Sequence, residues 1–498
     1  MQLISKILLA CAAALGASSG ASALELPDSV YHYRVEGTAE VSSGDHAPFW
    51  LSNNRFGLSS VRSDFGYLRA GIFRDAQYDR RFSWEAGADL AVAYNFTSSF
   101  VVQQLYAGVR YRSLSLTAGS REWSSSIIRS ELSSGSMTFS QNARPLPQVM
   151  LEMRDYNYVP LTNKWLAAKG YISMGMFTDD CWQRSHVGPD GIWTDNLLFH
   201  SKGLFLRGGN PDRFPLTVEG GLEMGSQFGG TVYTFDTKGN RVVVHLPHGV
   251  KDIIKVIVPM AGGDTNDPIQ EGELTNVLGN HVGQWSLAAT WHRKESPWAL
   301  SVYYQHYFDD HSQMLFDFAW RDMLLGFKLN VPENPVLSEL VYEYLCTKDQ
   351  SGPVYWDHTP AIPEQVSGRD DYYNHYLYPS WEHWGMGLGN PLLISPIYNS
   401  DHTLGFYHNR IKGHHLGFKG TPLRDLDYRV LLSYTRSWGT YKYPASTVLH
   451  NFNALVEATW HPSRFPGWAA RISLAADGGR LLGKSFGAMF TISKSGWL

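Results

Sequence analysis

The sequence predicts an all-β protein: an exported, antiparallel β-barrel that spans the outer membrane of a Gram-negative cell. Three observations predict it. The chain opens like a secretory precursor. Its composition is rich in aromatic residues and poor in charge. Segment after segment alternates apolar and polar residues with a period of two.

Lys6 supplies a positive charge, Ile7 to Leu15 form a short apolar stretch, and Ala21-Ser22-Ala23 forms a small-residue cleavage site. That order predicts a signal peptide over 1–23 and a mature chain from Leu24. The apolar stretch is too short to span a bilayer, which needs roughly 20 residues. A lipoprotein-like box, Leu8-Leu9-Ala10-Cys11, would leave too short an apolar region before its cleavage point.

Residues 24–498 are expected to form a single barrel domain. Aromatics make up 14% of the chain, including 17 Trp and 27 Tyr, whereas charged residues are only 18%. Soluble proteins carry roughly 25% charge. Later segments offer no stretch suited to a spanning helix, so the aromatic excess reads as interfacial girdles. The net charge of -4 and the absence of Lys/Arg blocks give no sign of a nucleic-acid partner. Two cysteines of the mature chain, Cys181 and Cys346, could pair or stay free.

The alternation is regular enough to assign faces. Trp84, Ala86, Ala88, Leu90, Val92 and Tyr94 form an outward row, with Glu85 and Asp89 among the residues between them. Leu105, Ala107, Val109 and Tyr111 form another, and across Arg112-Ser113 the phase flips to Leu114, Leu116 and Ala118, as in a tight hairpin. Rows led by Trp285, Tyr428, Phe452, Trp468 and Phe486 repeat the pattern. At roughly 9–11 residues per span, the length suggests about 16–20 strands. Ser120–Val149 is rich in Ser, Gly and Pro and reads as a long loop. Gly249–Pro259 reads as a short helix or a strand. Lys348–Pro396, with six prolines and many aromatics, reads as a long ordered loop.

Several stretches together resemble the Wzi family of outer-membrane capsule assembly proteins in its Bacteroidetes-type form. They include APFWLSNNRFG (Ala47–Gly57), NVLGNHVGQW (Asn276–Trp285), YYQHYFDDHS (Tyr303–Ser312) and YEYLCTKDQSGP (Tyr342–Pro353). GRDDYYNHYLYPSWEHWGMGLGNPL (Gly368–Leu392), HNRIKGHHLGFKG (His408–Gly420), SWGTYKYP (Ser437–Pro444) and ADGGRLLGKSFG (Ala476–Gly487) complete the set. The resemblance implies a monomeric barrel of about 18 strands, with short helices at the periplasmic end and loops over the lumen. It implies a lectin-like role: binding capsular or other surface polysaccharide and helping attach it to the cell. It implies no enzymatic activity, and outer-membrane lipids are the only other expected partner. Many such barrels end on an aromatic residue; here Trp497 stands one place early.

Sugar binding calls for flat aromatic faces beside planar hydrogen-bonding groups. Tyr355, Trp356, Asp370, Asp371, Tyr372, Tyr373, Asn374, His375, Trp381 and Trp384 have that mix and are the candidate polysaccharide contacts. The competing reading is a girdle or a packed loop core. His306-x-x-Asp309-Asp310-His311 has metal-ligand residue types, but strand-end polar residues explain it more simply. The neighbours His414 and His415 would point to opposite faces of a strand. No metal or cofactor is expected. Asp309, Asp310, Asp370, Asp371 and Glu382 could supply a glycosidase pair only if two converged. The runner-up function is a porin or sugar-conducting channel; an outer-membrane glycan hydrolase comes third.

Overall fold

The computed structural model describes residues 30–498 except 125–126, 129, 237, 259–277, 294–295, 310–320, 351–369 and 379. The signal-peptide reading of 1–23 therefore lies outside the described residues. Eighteen strands form one closed sheet. They are Tyr31–Gly44 (β1), Gly66–Arg74 (β2), Phe82–Tyr94 (β3), Phe100–Tyr111 (β4), Leu114–Ser120 (β5), Pro147–Tyr158 (β6), Leu166–Met176 (β7), Leu198–Gly208 (β8) and Leu216–Phe228 (β9). The circuit continues through Asn280–His292 (β10), Ala299–Asp309 (β11), Met323–Asn330 (β12), Glu339–Cys346 (β13), Ile411–Leu423 (β14), Leu426–Gly439 (β15), Pro444–Trp460 (β16), Trp468–Gly479 (β17) and Ser485–Trp497 (β18). Each strand pairs antiparallel with its neighbours in sequence, and β18 closes on β1 from His32↔Trp497 to Gly44↔Ser485. Closure leaves no open edge, as lipid demands of a spanning sheet.

The connections give the barrel a direction. At the end where the termini meet, the turns are short, the longest being 331–338; at the other end they run as long as 229–279 and 347–410. Short turns belong to the periplasm and long loops to the cell exterior. The Arg112-Ser113 hairpin pairs Tyr111 with Leu114, and Arg112 takes the left-handed conformation a tight turn needs, with φ 56°.

The expected faces are confirmed. Trp84, Leu90, Val92 and Tyr94 are exposed on the outer wall, whereas Glu85 and Asp89 are buried inside. Trp84, Tyr111, Trp291 and Trp460 lie exposed toward the periplasmic end, and Tyr94, Phe100 and Phe486 toward the outer end. Two aromatic girdles bounding an apolar wall place this barrel in an outer membrane. Among the described residues no helix is long and apolar enough to cross a bilayer.

A barrel this wide could hold water, but its outer half holds protein. The described residues of segments 45–65, 121–146 and 370–410 fold inward and pack around Trp50, Phe139, Tyr307, Trp381 and Phe406 into one apolar cluster. We call this the cap. Lumen-facing polar residues hold it by hydrogen bonds. Gln284 Oε1 accepts from Thr138 N at 2.9 Å, and Gln305 Oε1 accepts from Met137 N at 3.2 Å. Glu343 accepts from Ser134 N, the Ser133 hydroxyl and the Tyr303 hydroxyl at 2.6–2.7 Å. Asp477 accepts from Phe49 N at 2.7 Å, at the start of the helical turn Phe49–Ser52 (α1). Buried backbone groups of a loop need such partners, and here the wall supplies them.

Gly225 in β9 shows how closely cap and wall meet. A Cβ there would lie 2.6 Å from Phe139 and 2.7 Å from Trp381. Gly225→Ala is expected to cost about 1–3 kcal/mol through overpacking. The measurement is faster proteolysis of the cap in an otherwise assembled barrel.

Two sequence readings of short segments are settled. Val250–Ile257 is a helix, numbered α3 below; the preceding helix, Trp182–Val187, is α2. The only short helices among the described residues thus sit in the outer connections, not at the periplasmic end that the resemblance implied. Cys181 is exposed, Cys346 is buried, and the two are not bonded.

Candidate binding site

The residues expected to contact polysaccharide fall into three groups. Tyr355 and Trp356 lie outside the described residues. Tyr372, Tyr373 and Trp381 are wholly buried in the cap, which corrects the expectation that they display rings to a sugar. Trp381 donates its indole N–H to Thr138 O at 3.0 Å and packs on Phe139, Phe177 and Phe199. Tyr372 and Tyr373 meet Tyr307 edge-on at 4.7 and 5.3 Å. The third group, Asp370, Asp371, Asn374, His375 and Trp384, is half-buried.

Most of that third group is engaged within the cap. Asp371 accepts from the amides of Asn374 and Asn409. Asn374 bonds both backbone groups of Phe406, through its Oδ1 at 2.7 Å and its Nδ2 at 3.0 Å. His375 Nδ1 accepts from Leu377 N at 3.1 Å. Trp384 lies under the Arg144 guanidinium, 4.4 Å from its ring centre. Burial lowers the Arg144 pKa to about 10.

The other sequence candidates separate as well. His306 shares the outer face of β11 with exposed Val302, whereas Asp309 stands at the opposite parity; Asp310 and His311 lie outside the described residues. His415 points inward and bonds Leu132 O at 2.7 Å, while His414 points outward to the Tyr342 hydroxyl at 2.8 Å. Among the described residues no cluster of His, Cys, Asp and Glu could hold a metal ion.

Glu382 is buried in the cap beside Gln183, whose amide donates to it at 3.0 Å. Burial raises its pKa to about 8. The folded state therefore holds this proton more tightly than the unfolded state does, so its stabilising contribution is complete at acid pH and is lost as pH rises through about 8. Proteolysis of the cap is expected to quicken as pH rises from about 4.5 to about 8 and to level off above that, and Glu382→Gln should flatten that dependence.

Below the cap the lumen opens toward the periplasm. Two adjoining lobes, about 670 and 550 Å³, share Arg429, His461 and Arg471. Strands β1, β2 and β14 to β18 supply most of the walls, and Asn54, Arg55, Phe56, Leu58, Glu122, Glu131 and Gln141 of the cap complete them. The electrostatic centre is Glu457, with Arg429 at 2.8 Å, Arg471 at 3.7 Å and Arg55 at 3.8 Å. Glu131 lies 3.9 Å from Arg429 as well, so the positive excess belongs to the larger lobe, where Arg34, Arg55, Arg69, Arg429 and Arg471 face Glu36 and Glu122, while the smaller lobe carries Glu131, Glu333, Glu339, Asp427 and Glu457. Arg55 Nε is buried without a hydrogen-bond partner. Lys419 bridges Glu131 at 2.9 Å and Glu339 at 3.5 Å. On the far side Arg69 binds Asp89 and, at 2.7 Å, Glu122. Phe56 and Tyr67 add rings to the lining.

Sequence reading passed over this vestibule. Its arginines are single inward residues of separate strands, and only the closed barrel brings Arg55, Arg429 and Arg471 to one carboxylate. The alternation did carry a signal. Arg429, Glu457 and Arg471 each occupy an inward slot between apolar outward neighbours.

No family model matches the chain, and no curated protein matches it. The Wzi resemblance therefore rests on the stretches quoted above. Solved structures do align along nearly the full length. OccK5 (OpdH) of Pseudomonas aeruginosa is 9% identical with a TM-score of 0.47, covering 94% of this chain and 98% of that one. OpdQ of the same organism is 8% identical with a TM-score of 0.46, covering 95% and 99%. OprD, also from that organism, is 10% identical with a TM-score of 0.44, covering 94% and 95%. Likeness at this level assigns no activity to the chain.

Proposed function

We propose that this chain is a capped outer-membrane barrel that binds surface polysaccharide, capsular or other, without turnover, and assists its assembly on the cell. The observation that carries the reading is the guanidinium-rich vestibule beneath a packed cap. Guanidinium forks pair with carboxylate and phosphate groups, so an acidic polysaccharide suits the vestibule better than a neutral one. Lining rings could pack on the C–H faces of its sugars. The quoted resemblance to capsule assembly proteins supports the same reading. The test is retention of the host's own surface polysaccharide by the purified barrel, alongside a deletion strain. A deletion strain that keeps all of its cell-bound capsule would sink the proposal.

A channel is the second reading, and one observation favours it. A gap of about 60 Å³ extends from beneath the cap, between Ser133, Gly135, Ser140 and Gln141. If the cap opens, positive charge at Arg55 and Arg429 would favour anions. Planar bilayers separate the two: steady conductance by the unaltered protein supports the channel, and its absence supports the capped binder. Release of sugar products from the retained glycan would instead revive the hydrolase reading.

A further inference from the structure

Helix α3 lies on the outside of the barrel. On β8 the exposed Leu204 and Leu206 mark the outward parity, which Leu198, His200 and Lys202 share. On β9 exposed Leu216 and Val218 mark the parity of Met224, Ser226 and Phe228. On β10 exposed Leu287 and Trp291 mark that of His281. The register sets His200 beside Ser226, and Ser226 beside His281. The outer end of the wall thus carries a strip of His, Lys and Ser at positions that would face lipid. Polar groups there would be costly if left bare in hydrocarbon.

They are not bare. His200, Ser226 and His281 are each 1% exposed, and Phe228 is fully buried. Val256 and Ile253 of α3 pack with Phe228 and Leu278 over Met174 and Leu198. Lys202 reaches from the wall to donate to Ile257 O in the last turn of the helix. Ser226 and His281 bond each other at 2.8 Å. With its inner face so occupied, α3 turns Val250 and Ile254 outward, and Val258 just past its end is exposed with them, at 76%, 52% and 56%. These follow one another at helical spacing, and Lys251 and Lys255 lie on the adjacent strip.

We propose that α3 is seated in the outer leaflet, with Val250, Ile254 and Val258 among lipid acyl chains and its lysine strip at the anionic headgroups. The apolar stripe continues the lipid-facing band of β8 and β9 upward, so the surface beside it is already membrane. Amphipathic helices with lysines flanking the apolar face lie in this interfacial plane. The occupant is thus an anionic, acylated outer-leaflet lipid.

The test uses the full barrel in a Cys181→Ser background, carrying one environment-sensitive fluorophore. Ile254→Cys places it on the stripe, Leu204→Cys on the lipid-facing wall, and Asn240→Cys on an exposed outer turn. Each protein is reconstituted in bilayers of phospholipid brominated along the acyl chains, with and without lipid A. Retained heat-modifiable migration certifies that each variant is folded. The expected result is quenching at Ile254→Cys approaching that at Leu204→Cys and well above that at Asn240→Cys. Adding lipid A should deepen it, and Lys251→Glu with Lys255→Glu should abolish that increment. Quenching by aqueous iodide but not by brominated lipid would overturn the proposal, because α3 would then stand in water. Shielding from both quenchers would also overturn it, because the stripe would then be covered by protein. An increment that survives the lysine substitutions would overturn the headgroup assignment.

Discussion

Trp381→Ala is expected to open the cap while leaving the barrel assembled. Trp381 is fully buried where the cap meets β8 and β9, and its indole N–H binds Thr138 O of another cap segment. Removing it deletes the centre of an aromatic cluster formed with Phe139, Phe177 and Phe199. Truncating a buried Trp to Ala costs about 3–5 kcal/mol. The loss should fall on the cap, because the strands keep all their ladder hydrogen bonds. Two measurements check it. Heat-modifiable migration should be unchanged, and proteolysis within 370–410 should become rapid. Loss of heat-modifiable migration would instead make Trp381 a requirement for closing the barrel. The same variant also tests for a gate: conductance that appears only in Trp381→Ala would show that the cap is what seals the lumen.

The second large effect concerns the vestibule. Replacing both Arg429 and Arg471 by Ala takes two of the three guanidinium groups from Glu457. The larger lobe then keeps Arg34, Arg55 and Arg69 against Glu36 and Glu122, and most of its positive excess is gone. A hydrogen bond to a charged group contributes about 1.5–3 kcal/mol, so the loss of even one predicts roughly tenfold to hundredfold weaker binding of an acidic polysaccharide. Unaltered protein should also lose the polymer as salt is raised, with a flatter salt dependence in the double variant, since exposed charges are screened. Equal retention by both proteins at every salt concentration would refute a binding role for the vestibule.

The fold was legible because lipid imposes a simple rule on each strand. Trp84 to Tyr94 and Phe486 to Ile492 had to be apolar at every second position, and the pattern shows without any partner strand. The hairpin at Arg112-Ser113 was legible for the same reason. The candidate site was harder to see. In Tyr372-Tyr373 and Ser380-Trp381, an aromatic loop that binds sugar and one that fills a lumen share the same residue types. What separates them is whether the rings have water or Phe139 and Tyr307 as neighbours, and those partners lie far away in sequence. The vestibule failed to show for a related reason: Arg55 comes from a loop, and Arg429 and Arg471 from strands that meet only on closure. The polar outward strip at His200 and Ser226 breaks the alternation rule, and the break marks where a helix covers the wall.

The bonds between cap and wall have a mechanical consequence. Gln284 and Gln305 hold the cap from one arc of the barrel, Glu343 and His415 from the next, and Asp477 from near the seam where β18 meets β1. A bare cylinder of strands can flatten under lateral pressure, since shear between neighbouring strands meets little resistance. Here the cap works like a hub, with hydrogen-bonded spokes reaching several sectors of the rim. Any squeeze of the rim must stretch some spokes and compress others, so the outer cross-section is held in shape, and Glu131, bridged to Lys419 at 2.9 Å, carries one spoke further toward the periplasmic mouth.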